Sequence, residues 1–171
     1  DTVGTDEGRA MLQLIYDIAP GAERGFHTAV GGIAAFADAV RELGDPNAGD
    51  CDIIVDDIGY NLEPFYQDGP VSNAVNDGAT NDGAAYFSSA GNDGQNAYTA
   101  PFRNSGNPGV ISPNQAVAHD FDPGAAVDTL QEITIQTGGN FEVFTFQWTD
   151  PSALVAGSDG ADTDLDVALV N

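Results

Sequence analysis

Tyr86-Phe87-Ser88-Ser89-Ala90-Gly91-Asn92-Asp93-Gly94 is the stretch on which the fold of this chain turns. A short apolar run passes directly into Ala-Gly-Asn and then into a glycine-containing turn. As local structure it is a strand ending in an Asn-Asp-Gly turn, a common use of those residues. As chemistry it is an amide held at the end of a strand by small neighbours. Such an NH2 group can donate to a developing oxyanion, and one donor of this kind is worth about 3 kcal/mol in acyl transfer. The residues that precede the stretch bear on which of the two applies.

Upstream, helical and strand patterns alternate. Thr5 or Asp6 can cap a helix with Met11, Leu14, Ile15 and Ile18 at helical spacing, and Pro20-Gly21 ends it. Asp6 and Glu7 suit the positive end of that helix dipole. Gly25-Phe26-His27 reads as a strand-like piece. A second helix carries Ile33, Phe36, Ala37, Val40 and Leu43 on one face, with Gly44 as its stop. The apolar run Ile53-Ile54-Val55, ended by Asp56-Asp57, has the character of a parallel strand buried on both faces. Pro70 opens a third helix through Val71, Ala74, Val75 and Ala79, and Gly83 releases it into the strand ending at Ser89. This alternation predicts an α/β domain with a largely parallel sheet. Functional groups of such sheets collect beyond the carboxyl ends of the strands, where Asp56, Asp57 and Asn92 all fall. A cleft is expected there.

Beyond Phe102 the texture changes. Residues 104–109 (Asn-Ser-Gly-Asn-Pro-Gly) read as a linker, and the helical period disappears after Ala116. Leu130, Ile133 and Ile135 precede the turn Gly138-Gly139-Asn140. Phe141, Val143, Phe144, Phe146 and Trp148 come next, and Asp164 to Val170 lies near the end. Antiparallel strands of a sandwich or jelly roll are expected. The expected domains are therefore residues 1–112, α/β, and residues 113–171, a β-sandwich incomplete at its C-terminus.

Charge narrows the class of partner. Of 171 residues, 27 are Asp or Glu and 4 are Arg, with no Lys, for a net charge of -23. Such a surface repels nucleic acid and anionic membranes and favours solubility in salt or the binding of Ca2+. Gly and apolar residues are too abundant for an acidic disordered tail. Cys51 is the single cysteine, so no disulfide within the chain is available, and it is expected as a buried thiol. No stretch of 18 apolar residues is present, so no membrane span is expected.

Four motifs in order carry a family resemblance. They are Gly4-Thr5-Asp6-Glu7-Gly8-Arg9-Ala10-Met11, Ile18-Ala19-Pro20-Gly21-Ala22, Ile53 to Tyr60, and Ser89-Ala90-Gly91-Asn92. In that order they resemble subtilisin-like serine proteases, and most closely large bacterial secreted subtilases with a β-sandwich inserted after the oxyanion asparagine. The resemblance covers essentially the whole chain. It implies a partial subtilisin-like parallel sheet with flanking helices, followed by an antiparallel, jelly-roll-like insert. It also implies a polypeptide substrate, an extracellular or cell-surface location, Asn92 as oxyanion donor, and Asp57, Ile58 and Gly59 in the substrate-binding segment.

The departures from the family are specific. Its histidine heads a helix as His-Gly-Thr, and Glu7-Gly8-Arg9 stands there in this chain. Glu7 could act as base, as Glu does in the distantly similar sedolisins, if burial beside its helix made the carboxylate basic enough. Otherwise Glu7 is a first-turn helix carboxylate. Met11 occupies the position of the second sedolisin acid. No Gly-Thr-Ser nucleophile run occurs within these residues, and the strand that carries the family's aspartate is expected upstream of Asp1. The resemblance therefore implies a fragment of an endopeptidase, inactive alone. The alternative is a non-catalytic surface or adhesion module on a protease-like frame. For a cofactor, only calcium is in view: Asp159, Asp162, Asp164 and Asp166 could hold Ca2+, but their spacing lacks the glycine of an EF-hand loop. Asp162, Asp164 and Asp166 otherwise read as the wet face of a strand.

Overall fold

Helices form where the apolar spacing predicts them: α1 (Glu7–Ile18), α2 (Ile33–Gly44) and α3 (Pro70–Asp77). The structure is a computed structural model that describes residues 6–92, 94, 96–114, 116–134 and 144–170. Pro70 stands in the first turn of α3, where its missing N–H costs nothing. One turn of π-helix, Gly78–Asp82, continues α3. Gly83 then takes a left-handed φ of 76°, open to glycine without strain, and turns the chain into the next strand.

Residues 1–92 and 147–162 form one unit, and residues 93–146 and 163–171 another. At the centre of the first lie two parallel strands, β1 (Ile53–Asp56) and β2 (Ala85–Ser88). Their register runs in step from Ile53↔Ala85 to Asp56↔Ser88, so both strands end together. Phe36, Ala37 and Val40 of α2, Ala74 of α3, Ile54 of β1 and Ala84 close into the core. Arg41 of α2 also bonds Asp77 of α3 at 3.0 Å. A half-exposed pair of that kind contributes under about 1 kcal/mol. Burying each large core side chain contributes about 1.5–3 kcal/mol, so packing rather than the ion pair joins the helices.

Three sequence expectations need correction here. Gly25-Phe26-His27 joins no ladder among the described residues. The Ile53-Ile54-Val55 run is buried on one face only: Ile54 is 6% exposed, whereas Ile53 is 62% and Val55 47% exposed. The core helices α2 and α3 cover the Ile54 side. Helix α1, although amphipathic in pattern, buries no residue. Cys51 is half-buried, with its thiol donating to the Gly49 carbonyl at 3.5 Å.

In the second unit β3 (Asn104–Pro108) pairs antiparallel with β4 (Val117–His119). Residues 104–109 are therefore largely strand and not linker. Polar side chains accompany the pairing: Ser105 donates to the Ala118 carbonyl at 2.8 Å, and Asn104 accepts from the Gly106 N–H at 2.8 Å across an irregularity in register. Of the expected sandwich strands, residues 135–143 lie outside the described residues. Residues 144–148 and 164–170 enter no ladder among the described ones.

Candidate functional site at the carboxyl ends of the strands

Asp56, the last residue of β1, gathers the ends of both strands. Its Oδ1 accepts from the Ser88 hydroxyl at 2.9 Å and from the Ile58 N–H at 3.2 Å. Its Oδ2 accepts from the Tyr86 hydroxyl. The backbone continues the tie, since the Ser89 N–H donates to the Asp56 carbonyl at 3.2 Å. One carboxylate thus fixes the segment leaving β1, which contains Asp57, Ile58 and Gly59, against the segment leaving β2, which leads to Asn92.

The phenols around it stay neutral. Burial pushes Tyr86 well above the ordinary phenol value, and its hydrogen bond to Asp56, the Asp56 charge and Tyr60 push the same way. Tyr60 is also raised, by burial first and then by the charge of Asp56. Its hydroxyl donates to the Ala29 carbonyl at 2.8 Å, and its ring packs 5.4 Å from that of Phe36. A folded-state value raised above the unfolded one stabilises the fold fully below about pH 10, the unfolded phenol value. That stabilisation is lost as pH rises beyond it. Asp56→Asn removes the charge and weakens the hydrogen bond but leaves the burial. The Tyr86 titration, followed by phenolate absorbance with Tyr86→Phe as reference, is expected to move down toward the ordinary value. An unmoved midpoint would mean that Asp56 has no hold on Tyr86.

Next to these strand ends a cleft of about 340 Å3 opens between them and α3. Phe36, Tyr60, Tyr86, Ile58, Val71 and Val75 supply its apolar wall, and Asp56, Glu63 and Asp68 its carboxylates. Glu63 caps α3 from a distance. Its Oε1 accepts from the Val71 and Ser72 N–H groups, both at 3.1 Å, satisfying donors that a helix start leaves open. A Cβ at Gly69 would come 2.6 Å from that oxygen, so residue 69 has to be glycine for the cap to form.

The sequence-named residues are distributed unevenly about this place. Ile58 lines the cleft and Asp57 and Gly59 flank it in sequence, on the loop after β1. Asn92 is exposed in a bend four residues past Ser88, on the segment leaving the same end of the sheet. Glu7 stands in the first turn of α1 and is exposed. Neither Glu7 nor Asn92 lines the cleft, and neither side chain makes a hydrogen bond or ion pair among the described residues. The burial that base chemistry at Glu7 requires is not present. Asp162, Asp164 and Asp166 are exposed, and among the described residues no three His, Cys, Asp or Glu side chains are placed to hold one metal ion. No helix among the described residues is long and apolar enough to cross a membrane.

One feature was not foreseen from the sequence. The segment after Phe146 returns to the first unit: Gln147 accepts from the Phe65 N–H at 3.0 Å and donates to the Glu63 carbonyl at 3.0 Å. Gln67 donates to the Asp150 carbonyl at 2.8 Å and accepts from the Ser152 N–H at 3.0 Å. Two amides thereby bind the loop that carries Glu63, and no periodicity marks such residues. In the second unit, the Arg103 N–H donates to His119 Nδ1 at 3.0 Å, which leaves the ring proton on Nε2, 3.1 Å from the Tyr98 hydroxyl. Tyr98, Phe102 and Phe121 surround that ring, so His119 is fully engaged in packing.

Comparison with models of known families, with curated proteins and with solved structures finds no match to this chain.

Proposed function

We propose that this chain carries the oxyanion strand and the base-position helix of a secreted subtilisin-like serine endopeptidase, together with part of an inserted β-sandwich. The observation that supports it is the in-step parallel pairing of β1 and β2. Because both strands end together, Asp57-Ile58-Gly59 and Ser89-Ala90-Gly91-Asn92 leave the same end of the sheet. A polypeptide lying along the first segment would present its carbonyl to the amide on the second.

In that mechanism a serine hydroxyl supplied from outside these 171 residues attacks the peptide carbonyl. Its proton passes to a base, with Glu7 as the candidate at the family's histidine position. Asn92 donates to the oxyanion as the carbonyl becomes tetrahedral. The exposure of Glu7 favours, as the second possibility, a protease-like frame without catalysis that serves as a surface or adhesion module. A melting temperature raised by calcium and returned by chelator would support that module.

The 171-residue chain alone is expected to cleave no peptide bond at a measurable rate, since it holds no Gly-Thr-Ser segment. The check is release of fluorescence from labelled casein by purified chain. Sustained cleavage that co-purifies with the folded chain would sink the proposal, because the nucleophile would then lie within these residues.

A further inference from the structure

The cleft beside the strand ends has a chemistry of its own. Three carboxylates, Asp56, Glu63 and Asp68, stand in its wall together with the rings of Phe36, Tyr60 and Tyr86. No Arg or His lines it and the chain has no Lys, so no cation of the cleft itself offsets those charges. Both phenols are held neutral and add no charge of their own. The Oε2 atom of Glu63 is buried and has no hydrogen-bond partner among the described residues. The same carboxylate's Oε1 is already held by the start of α3. The carboxylates do not converge on one point, since no three acidic side chains among the described residues are placed around a single metal ion. They are spread about a space of about 340 Å3 with apolar walls. That combination suits an extended cation: an aliphatic stem against Val71, Val75 and Ile58, and a charged head among carboxylates and aromatic faces.

We infer that this cleft receives the side chain of a lysine or arginine in a bound polypeptide. The inference rests on the endopeptidase proposal and adds its substrate class, peptides with a basic residue. Ile58 connects the two, as it belongs both to the expected substrate-binding segment and to the cleft wall. Asp68 is exposed, its side chain engaged among the described residues by Asn76 at 3.5 Å, so an incoming ammonium or guanidinium can meet it.

The test titrates the 171-residue chain calorimetrically with acetyl-Ala-Ala-Lys-methylamide and with its norleucine counterpart, which has the same stem and no charge. The lysine peptide is expected to bind about tenfold more tightly, the scale of one charge-assisted contact. Asp68→Asn is expected to reduce that preference to about threefold or less, and Glu63→Gln to reduce it also. Asp17→Asn, an exposed change on α1, should leave the preference as it is. Asp68→Asn is the deciding variant, because Glu63 also caps α3 and its replacement needs a circular dichroism melt to show an intact fold. Equal binding of the two peptides would overturn the basic-residue inference and leave the peptide-binding cleft standing. Absence of binding by either would overturn both. A lysine preference unchanged by Asp68→Asn and by folded Glu63→Gln would place the attraction in the -23 net charge at large and overturn the assignment to this cleft.

Discussion

Replacing Asn92 with alanine is expected, if the proposed endopeptidase function holds, to lower kcat of the full-length protein by about two to three orders of magnitude, with KM little changed. The split between the two constants identifies the role. A ground-state carbonyl is a weak acceptor, whereas a tetrahedral intermediate carries nearly a full negative charge on oxygen. A donor aimed at the second contributes little to binding and much to the chemical step. Asn92 stands exposed in the bend beyond β2, on the segment leaving the end of the sheet. Steady-state kinetics on a peptide amide substrate check this. A rise in KM at constant kcat would make Asn92 a substrate-binding residue only, and no change in either would make it a turn residue.

If Glu7 is the base, Glu7→Gln is expected to cost at least as much, since removing a general base slows proton transfer by about 10^2 to 10^4. The isosteric amide keeps shape and helix position while abolishing the capacity to accept a proton. Exposure of Glu7 makes this the sharper test of the two. A carboxylate whose only service is to the α1 dipole would lose a few tenths of a kcal/mol of stability on this change and no measurable rate. Measurement of kcat/KM together with a melting curve separates these outcomes. A loss under about twofold in rate would remove Glu7 from the mechanism.

What could be read from the sequence was what local periodicity encodes. The spacing of Phe36, Ala37 and Val40 gave α2, and Pro70 with Gly83 bracketed the third helical segment. The β1 and β2 runs were short, bounded and apolar, and alternation with helices made their parallel pairing the natural expectation. Burial did not follow in the same way. Ile53 and Val55 have the composition of doubly covered positions, yet coverage depends on what packs against them, and α1 buries none of its apolar residues. Asp56 was placed at the cleft by its position after an apolar run. Its hold on Tyr86 and Ser88 was not legible, because a bond spanning 30 residues or more leaves no local pattern. The same holds for Glu63, which caps a helix eight residues away, and for Gln147, which returns across more than 80 residues to the Glu63 loop. The 104–108 segment was misjudged since Asn, Ser, Gly and Pro are loop residues by composition. There the strands pair through their backbones, with one side-chain bond from Ser105 across to Ala118, and no alternating apolar face marks the segment.

The most direct measurement is the rate at which a peptidyl diphenyl phosphonate labels the folded protein that contains this chain, read by intact mass. Such a reagent forms a tetrahedral adduct on an activated serine and places an oxygen where an oxyanion donor would act. The proposed function predicts one equivalent bound to one serine, with Asn92→Ala slowing the reaction by about 10^2. No adduct on the folded protein, or an adduct formed at the same rate with and without the Asn92 amide, would contradict it.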